Sequence, residues 1–491
     1  MSVSFGLEDT HARENGVPST NGNAYPTQLE QVQLFKGMSY KINTFEPSMM
    51  VLDGSGKLVP ENLEGMTTGW WSKEMSNGEA TFLTPPTLTY KFSVDVTCVG
   101  FTLLFDADYE FAAEVNATTY DAGGNIVSQG VFSNDKSKMI IALASKNIRQ
   151  VDFKFTKTWL PYRHIRLAGV LFGIKQEFGS GSIVSASLVQ EISPAMDTFP
   201  SNQFVYVFDN LDQDYNLINP EGLYTFLQDN QRISVYTRIN NEDIFSGDYL
   251  FQSSTAENGG ITASIVGGDF AINLEGSIFN GGATGTWSLR EAVEAIKTNS
   301  GLDFEINIPD EIATRVINKA IPQNTNSREA LRMAAQAARC VMFFDRHNAL
   351  TASEFSIADT PDDSVTADNA QSLSGVSLAT RINTVVLTVE NSYAETKAEY
   401  IASNLSNAEA MRIKTISNPL AYDGQAVADW LLAIYERKTH FNIPFRGNPA
   451  LDPADTLEIS TVFGVVNANI SKIVTSYNGG LSQTITAVGD R

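Results

Sequence analysis

The stretch Asn326–Phe355, NSREALRMAAQAARCVMFFDRHNALTASEF, is where the periodicity of this 491-residue chain changes from helix to strand. Asn326 and Glu329 stand at capping-box spacing ahead of a helical run, so the helix NSREALRMAAQAAR starts there. CVMFF and ALTASEF then read as two strands, with Asp345 to Asn348 supplying the turn of a hairpin. Just upstream, TWSLREAVEAIKTNS repeats the signal. Ser288 and Glu291 form a second capping-box pair, Leu289, Val293 and Ile296 share one face, and Gly301 marks the end. With the strand LDFEINI between them, these elements define a small α/β unit over residues 284–368.

On both sides of that unit the pattern is β. Residues 179–283 read as strands (SASLVQEIS, FVYVFDN, RISVYTRI, EDIFSGDYLFQSS, GITASIVGGDFAINLEGSIF), and residues 369–491 do the same from ATRINTVVLTVEN to LSQTITAVGD. One helix, QAVADWLLAIYERKTH, interrupts the second block, with Val427, Trp430, Leu431 and Ile434 on its buried face. It runs into FRGNPALDPADTLEIST (Phe445–Thr461), a corner with three turn-forming segments in a row, where Asp452 and Asp455 read as turn-stabilising residues. Two β blocks around helices raise the expectation of a duplicated barrel.

Residues 41–178 give strand-length runs bounded by turns, with period-two alternation in VDFKF and VTCVGFTLLF, the pattern of a β-sandwich. FGSGSIVSAS at 178–187 is a boundary. Residues 1–40 are polar and aperiodic, and read as an arm that orders only against a partner. The fold class is therefore mainly β with an α/β insert.

Composition narrows the function. Charged residues make up 18%, aromatics 10%, and the formal charge is -22, which excludes a protein that grips nucleic acid through clustered Lys and Arg. The N-terminus lacks the basic and apolar regions of a secretory signal, and no apolar run is long enough to cross a bilayer, so synthesis in the cytoplasm and no membrane insertion are expected. Cys98 and Cys340 read as buried thiols with no disulfide or metal role. The four histidines (His11, His164, His347, His440) sit in four segments, and no phosphate loop or nucleophile elbow occurs. Acidic pairs such as Glu242 with Asp243 leave a glycosidase formally open. Catalytic residues, cofactors and metals are not expected.

Aromatics in the sandwich are the candidate binding residues. GWWS supplies Trp70 and Trp71; TWLPYRHIR supplies Trp159, Tyr162 and Arg163. A sugar stacked on an exposed ring beside hydrogen-bonding side chains is the usual way a β-sandwich holds a glycan. The plainer alternative puts one tryptophan of the pair in the core and the other at the sandwich edge, because adjacent strand residues face opposite sides. PYRHIR (161–166) reads as a solvated edge strand.

VSASLVQEISPAMDTFPSNQFVYVF, QRISVYTRINNEDIFSGDYLFQS, NSREALRMAAQAARCVMFFDRHNALTASEF, GNPALDPADTLEI and NISKIVTSYNGGLSQTITAVGD together resemble, in order over residues 183–491, the baseplate hub and tail-tip proteins of tailed bacteriophages and related particles. TFEPSMMVLDGSGKLVPEN, GWWS, FTLLFDADYEFAAEVNATTYDAGGN and FKFTKTWLPYRHIRLAGVLFGI resemble the galactose-binding-like sandwich that accompanies such hubs in Gram-positive prophages, although Met49 and Met50 stand where bulky aromatics are expected.

The resemblance implies two tube-type β-barrel domains flanking the α/β domain. It further implies a homotrimer whose six barrels form a ring joining the sixfold tail tube to the threefold distal tip and lining the DNA passage. The implied setting is the virion. Implied partners are the tail tube or distal tail protein ring, the tape measure protein, spike or tip proteins, and host surface polysaccharide. The rival readings are a glycan-binding adhesin or receptor-binding protein, and a glycoside hydrolase with a carbohydrate-binding domain.

Overall fold

The structure is a computed structural model and describes all residues except 9, 35–41, 45, 48, 51–66, 107–109, 180, 220–222, 228–229, 240–241, 280–281, 367, 372–374, 406–409 and 490–491. The chain divides into two compact units: residues 5–176 with 220–231, and residues 1–4 with 177–219 and 232–491.

The first unit is a two-sheet sandwich. A five-stranded antiparallel sheet has the order Gly16–Thr20, Thr87–Cys98, Ser145–Thr158, Ala112–Tyr120, Ile126–Ser133, and a four-stranded sheet the order Trp70–Met75, His164–Leu171, Phe101–Phe105, Lys138–Ile141. Alternation decides which face is buried. Leu88, Tyr90, Phe92, Val151, Phe153 and Phe155 point inward against Trp70, Phe101, Leu103 and Phe105, while Thr89, Lys91, Gln150, Asp152 and Lys154 face out. Cys98 is buried in this core as a free thiol. An aromatic side chain buries about 150–250 Å², roughly 4–6 kcal/mol of transfer energy each, so this cluster dominates the cohesion of the unit.

Part of the polar N-terminal stretch is integral to the sandwich. Gly16–Thr20 pairs with Thr87–Cys98, placing Val17 opposite Lys91 and Ser19 opposite Thr89. Its composition gives no strand signal, and the backbone ladder holds it.

In the second unit one antiparallel path joins two β blocks. It runs Arg232–Ile239, Glu242–Glu257, Thr262–Gly268, Gln203–Asp209, Ile183–Glu191, then crosses to Gly464–Tyr477, Leu481–Gly489, Thr439–Phe445 and Gly375–Leu378. The crossing is the pair Ile183–Glu191 with Gly464–Tyr477, in register from Ala186 opposite Tyr477 to Glu191 opposite Lys472. The first block carries an aromatic ladder, with Phe204, Tyr206 and Phe208 stacked along one strand. The second curls round Phe441, Ile443, Phe445, Leu457, Ile459, Ile470, Ile473 and Ile485.

Between them sits the α/β unit. Leu289–Ser300 begins at a complete Ser288–Glu291 capping box and ends at left-handed Gly301. Ser327–Ala337 is capped by Asn326, but Glu329 does not reach back; Arg332 takes its carboxylate instead. The hairpin Val341–Phe344 and Leu350–Ser353 completes the unit, with Cys340 a buried free thiol.

The second β block differs from its sequence reading in one respect. Thr384–Asn391, Thr396–Ser403 and Ile413–Ser417 do not join the barrel wall; they form a separate three-stranded sheet covered by the helix Gly424–Glu436. Val385, Leu387, Ile416, Val427 and Leu431 make a core of their own, with Trp430 and Ile434 partly buried beside it. Alternation is the same for a barrel wall and for a helix-backed sheet, so spacing alone does not separate them.

Candidate functional site

The five candidate residues of the sandwich fall into two groups. Trp70 and Trp71 head the strand Trp70–Met75 and point to opposite faces, yet both are buried, at 0% and 3% exposure. Trp70 enters the core, 5.5 Å from Phe155, and its Nε1 donates to Asn23 Oδ1 at 3.0 Å. Trp71 lies on the outer face beneath the guanidinium of Arg166, 4.0 Å from ring centroid to Cζ, and its Nε1 donates to the Thr68 carbonyl. Arg163 is buried as well, donating to the carbonyls of Tyr162 and Pro47. A stacking sugar needs an open ring face, which neither tryptophan of the pair offers.

Trp159 and Tyr162 remain open, at 43% and 46% exposure, in the loop between Ser145–Thr158 and His164–Leu171. The loop is firmly shaped. Tyr162 takes a left-handed φ of 57°, and Gly78 packs so closely that a Cβ there would sit 2.8 Å from the Tyr162 hydroxyl. Trp159 leans on Phe111, with ring centroids 5.3 Å apart.

PYRHIR, read from the sequence as a solvated edge, is corrected. His164–Leu171 is an interior strand of the four-stranded sheet, and Arg166 is only 1% exposed. Its guanidinium bonds Glu46 and Glu110, and Asp106 lies 3.8 Å away. Burial alone would raise Glu46, but Arg166, the Thr44 hydroxyl and the His164 N–H together hold it below the usual carboxylate range. For Glu110 burial wins over Arg166, with Asp106 adding like charge, and its carboxyl is pushed up to about 7. No motif marks this cluster, because Arg166 meets Glu110 from 56 positions away and Glu46 from 120.

In the second unit, Arg346 in the hairpin turn reaches the corner Phe445–Thr461. It donates to the Asp452 carboxylate and to the carbonyls of Phe245, Pro449, Ala450 and Leu451. One side chain thereby ties the α/β unit to both β blocks. Inside the corner, Asp455 Oδ2 accepts from Asp452 N at 2.8 Å, and Ala454 is left-handed at φ 78°. Burial, helped by the charges of Asp362 and Asp452, pushes the Asp455 carboxyl up to about 6 against the opposing Asp452 N–H and Arg346.

Among the described residues no group of three or more His, Cys, Asp or Glu could hold a metal ion, and no helix is long and apolar enough to cross a membrane. The Nδ1 of His164 sits on the Ser72 carbonyl, and His347 stacks on Phe245 at 4.9 Å.

The class defined by this architecture is a mainly β protein in which a two-sheet sandwich accompanies two β blocks and an α/β insert. No family model and no curated protein matches the sequence. Among solved structures the chain is similar to the 43 kDa tail protein of prophage MuSo2 from Shewanella oneidensis, with 13% identity and a TM-score of 0.45 over 65% of this chain and 94% of that one. It is also similar to the tail protein from Neisseria meningitidis MC58, with 11% identity and a TM-score of 0.49 over 65% and 94%. A further similarity is to the family 32 CBM from C. perfringens NanJ in complex with galactose, with 8% identity and a TM-score of 0.21 over 36% and 99%.

Proposed function

We propose that this chain is a structural component of a phage tail or tail-like particle, the tail-tip or baseplate hub, and that it assembles as a homotrimeric ring. Two barrels per subunit would give six around the axis, joining a sixfold tube to a threefold tip. The observation that carries the reading is the continuous ladder from Ile183–Glu191 into Gly464–Tyr477, which fixes the two β blocks side by side in one chain. A rigid pair of barrels is what a subunit needs if it is to occupy two adjacent positions of a sixfold ring. The order of resembling segments over residues 183–491 supports it, and so does the charge of -22, which repels DNA passing through a lumen. On this reading the chain works in the virion, contacts the tube or distal tail ring and the tape measure, spike or tip proteins, and carries out no catalysis itself.

Negative-stain electron microscopy and sedimentation of the purified protein test it. Rings of three times 53.6 kDa are expected; a monomer at high concentration that stays monomeric with tube and tip proteins present would sink the proposal.

A second reading, recognition of host surface glycan by the sandwich, is favoured by the exposed pair Trp159 and Tyr162 on a loop of fixed shape. Retention on host cell-wall polysaccharide that survives Trp159→Ala and Tyr162→Ala together would remove those two residues from the role.

A further inference from the structure

Away from the Trp159 loop, the outer face of the five-stranded sheet carries a separate concentration of polar groups. The register sets Lys91 opposite Gln150 and Gln150 opposite Tyr120, so three strands present these side chains in one row. Adjacent strands lie about 4.8 Å apart, which makes the row roughly 10 Å long. The next row is Thr89, Asp152 and Thr118.

This second row holds the first in place. Asp152 Oδ1 accepts from Thr89 Oγ1 at 2.8 Å and from Gln150 Nε2 at 3.0 Å. The Tyr120 hydroxyl is held between Asp152 and Thr118, and burial together with the Asp152 charge pushes its ionisation above the ordinary tyrosine value. Tyr120 is thus tethered at its tip while its ring lines a cavity of about 600 Å³, within the usual size of small-ligand sites, about 300–1,000 Å³.

The cavity walls are built rather than loose. On one side the turn Asp121–Asn125 is closed by Asp121 Oδ1, which accepts from Gly123 N and Asn125 N at 2.8 Å each, with Gly124 left-handed at φ 79°. On the other, Arg149 donates its Nε to Asp95 and its Nη1 to the Ser93 carbonyl. The cations Lys91 and Arg149 are offset by Asp95, Asp121 and Asp152, so the cleft has no charge excess to draw in an anion. It offers a tethered aromatic ring, an ammonium and a primary amide, the set that matches vicinal hydroxyls and the apolar face of a pyranose.

From this geometry we infer that the cleft between Lys91, Gln150, Tyr120 and the Asp121–Asn125 turn is a saccharide site for neutral hexose units of a polysaccharide, distinct from the Trp159 and Tyr162 loop. Tyr120 is the stacking platform, and Lys91 and Gln150 hydrogen-bond the hydroxyls. The site does not depend on ring assembly.

Affinity electrophoresis of the full chain, in gels containing soluble neutral galactan, neutral glucan or polygalacturonate, tests the assignment. Retardation by at least one neutral polymer is expected, weakened at least tenfold by Tyr120→Ala and by Lys91→Ala, and retained in Trp159→Ala. Thermal midpoints verify folding, and Lys91→Ala, a change at an exposed residue, carries the test if Tyr120→Ala unfolds. No retardation by either neutral polymer, retardation by polygalacturonate alone, or retardation unchanged in Lys91→Ala would each overturn it.

Discussion

Arg346 Nη2 lies 2.7 Å from Asp452 Oδ1, joining the tip of the α/β hairpin to the corner before the last strands of the second barrel. The same guanidinium also donates to four backbone carbonyls, those of Phe245, Pro449, Ala450 and Leu451, so it serves the carboxylate and the corner backbone together.

Arg346→Ala is expected to destabilise the second unit by about 2–4 kcal/mol, since an ionised partner and several carbonyls lose their donor together. Arg346→Lys should recover little of this, because one ammonium cannot span the fork geometry. Urea unfolding followed by tryptophan fluorescence gives the comparison; a lysine variant as stable as wild type contradicts the bridging role.

Asp455 gives a pH dependence with a definite sign. Its folded carboxyl titrates near about 6, above the ordinary value of 3.8, so the folded state binds the proton more tightly. That relative stabilisation is complete below pH ~4 and is lost as pH rises through about 6. Asp455→Asn cannot ionise, and its amide can face Asp362. It should gain on wild type between pH 4 and 7, by about 1 kcal/mol, less than the full linkage value because the carboxyl is partly exposed. Thermal midpoints of both proteins across that range decide it, and a constant difference would refute the shift.

Arg166 is the corresponding point in the sandwich. Arg166→Met leaves Glu46 and Glu110 buried without their cation and is expected to cost about 3–5 kcal/mol, while the triple change with Glu46→Gln and Glu110→Gln should recover most of it. Differential scanning calorimetry at pH 7 separates the two outcomes. Equal losses in both variants would mean that packing on Trp71, and not charge pairing, is what Arg166 supplies.

Phe463 is 99% exposed and Val462 84% exposed at the two-residue end of the hairpin Thr456–Thr461 and Gly464–Tyr477. Apolar side chains held clear of their own chain are suited to a neighbour's surface. Phe463→Asp is expected to leave circular dichroism and thermal midpoint unchanged while shifting sedimentation toward monomer. An unaltered oligomer would exclude this tip from assembly.

Much of the fold follows from local signals. The Ser288 capping box, Gly301, the Asp345–Asn348 turn and the inward alternation of Tyr90, Val151 and Phe153 all stand where spacing puts them, because each depends on residues a few positions apart. The buried state of Cys98 and Cys340 also follows from their apolar surroundings in sequence.

Tertiary structure decided the rest. Only sheet order makes the HIR half of PYRHIR part of an interior strand and sinks Trp71 beneath Arg166. Only the register brings Lys91, Gln150 and Tyr120 into one row, and only the fold carries Arg346 to Asp452 across 106 positions. Sequence sets which side chains alternate, cap and turn, since those energies are local. Which strand becomes a neighbour is settled by burying whole faces at once, a collective free energy that no single stretch contains.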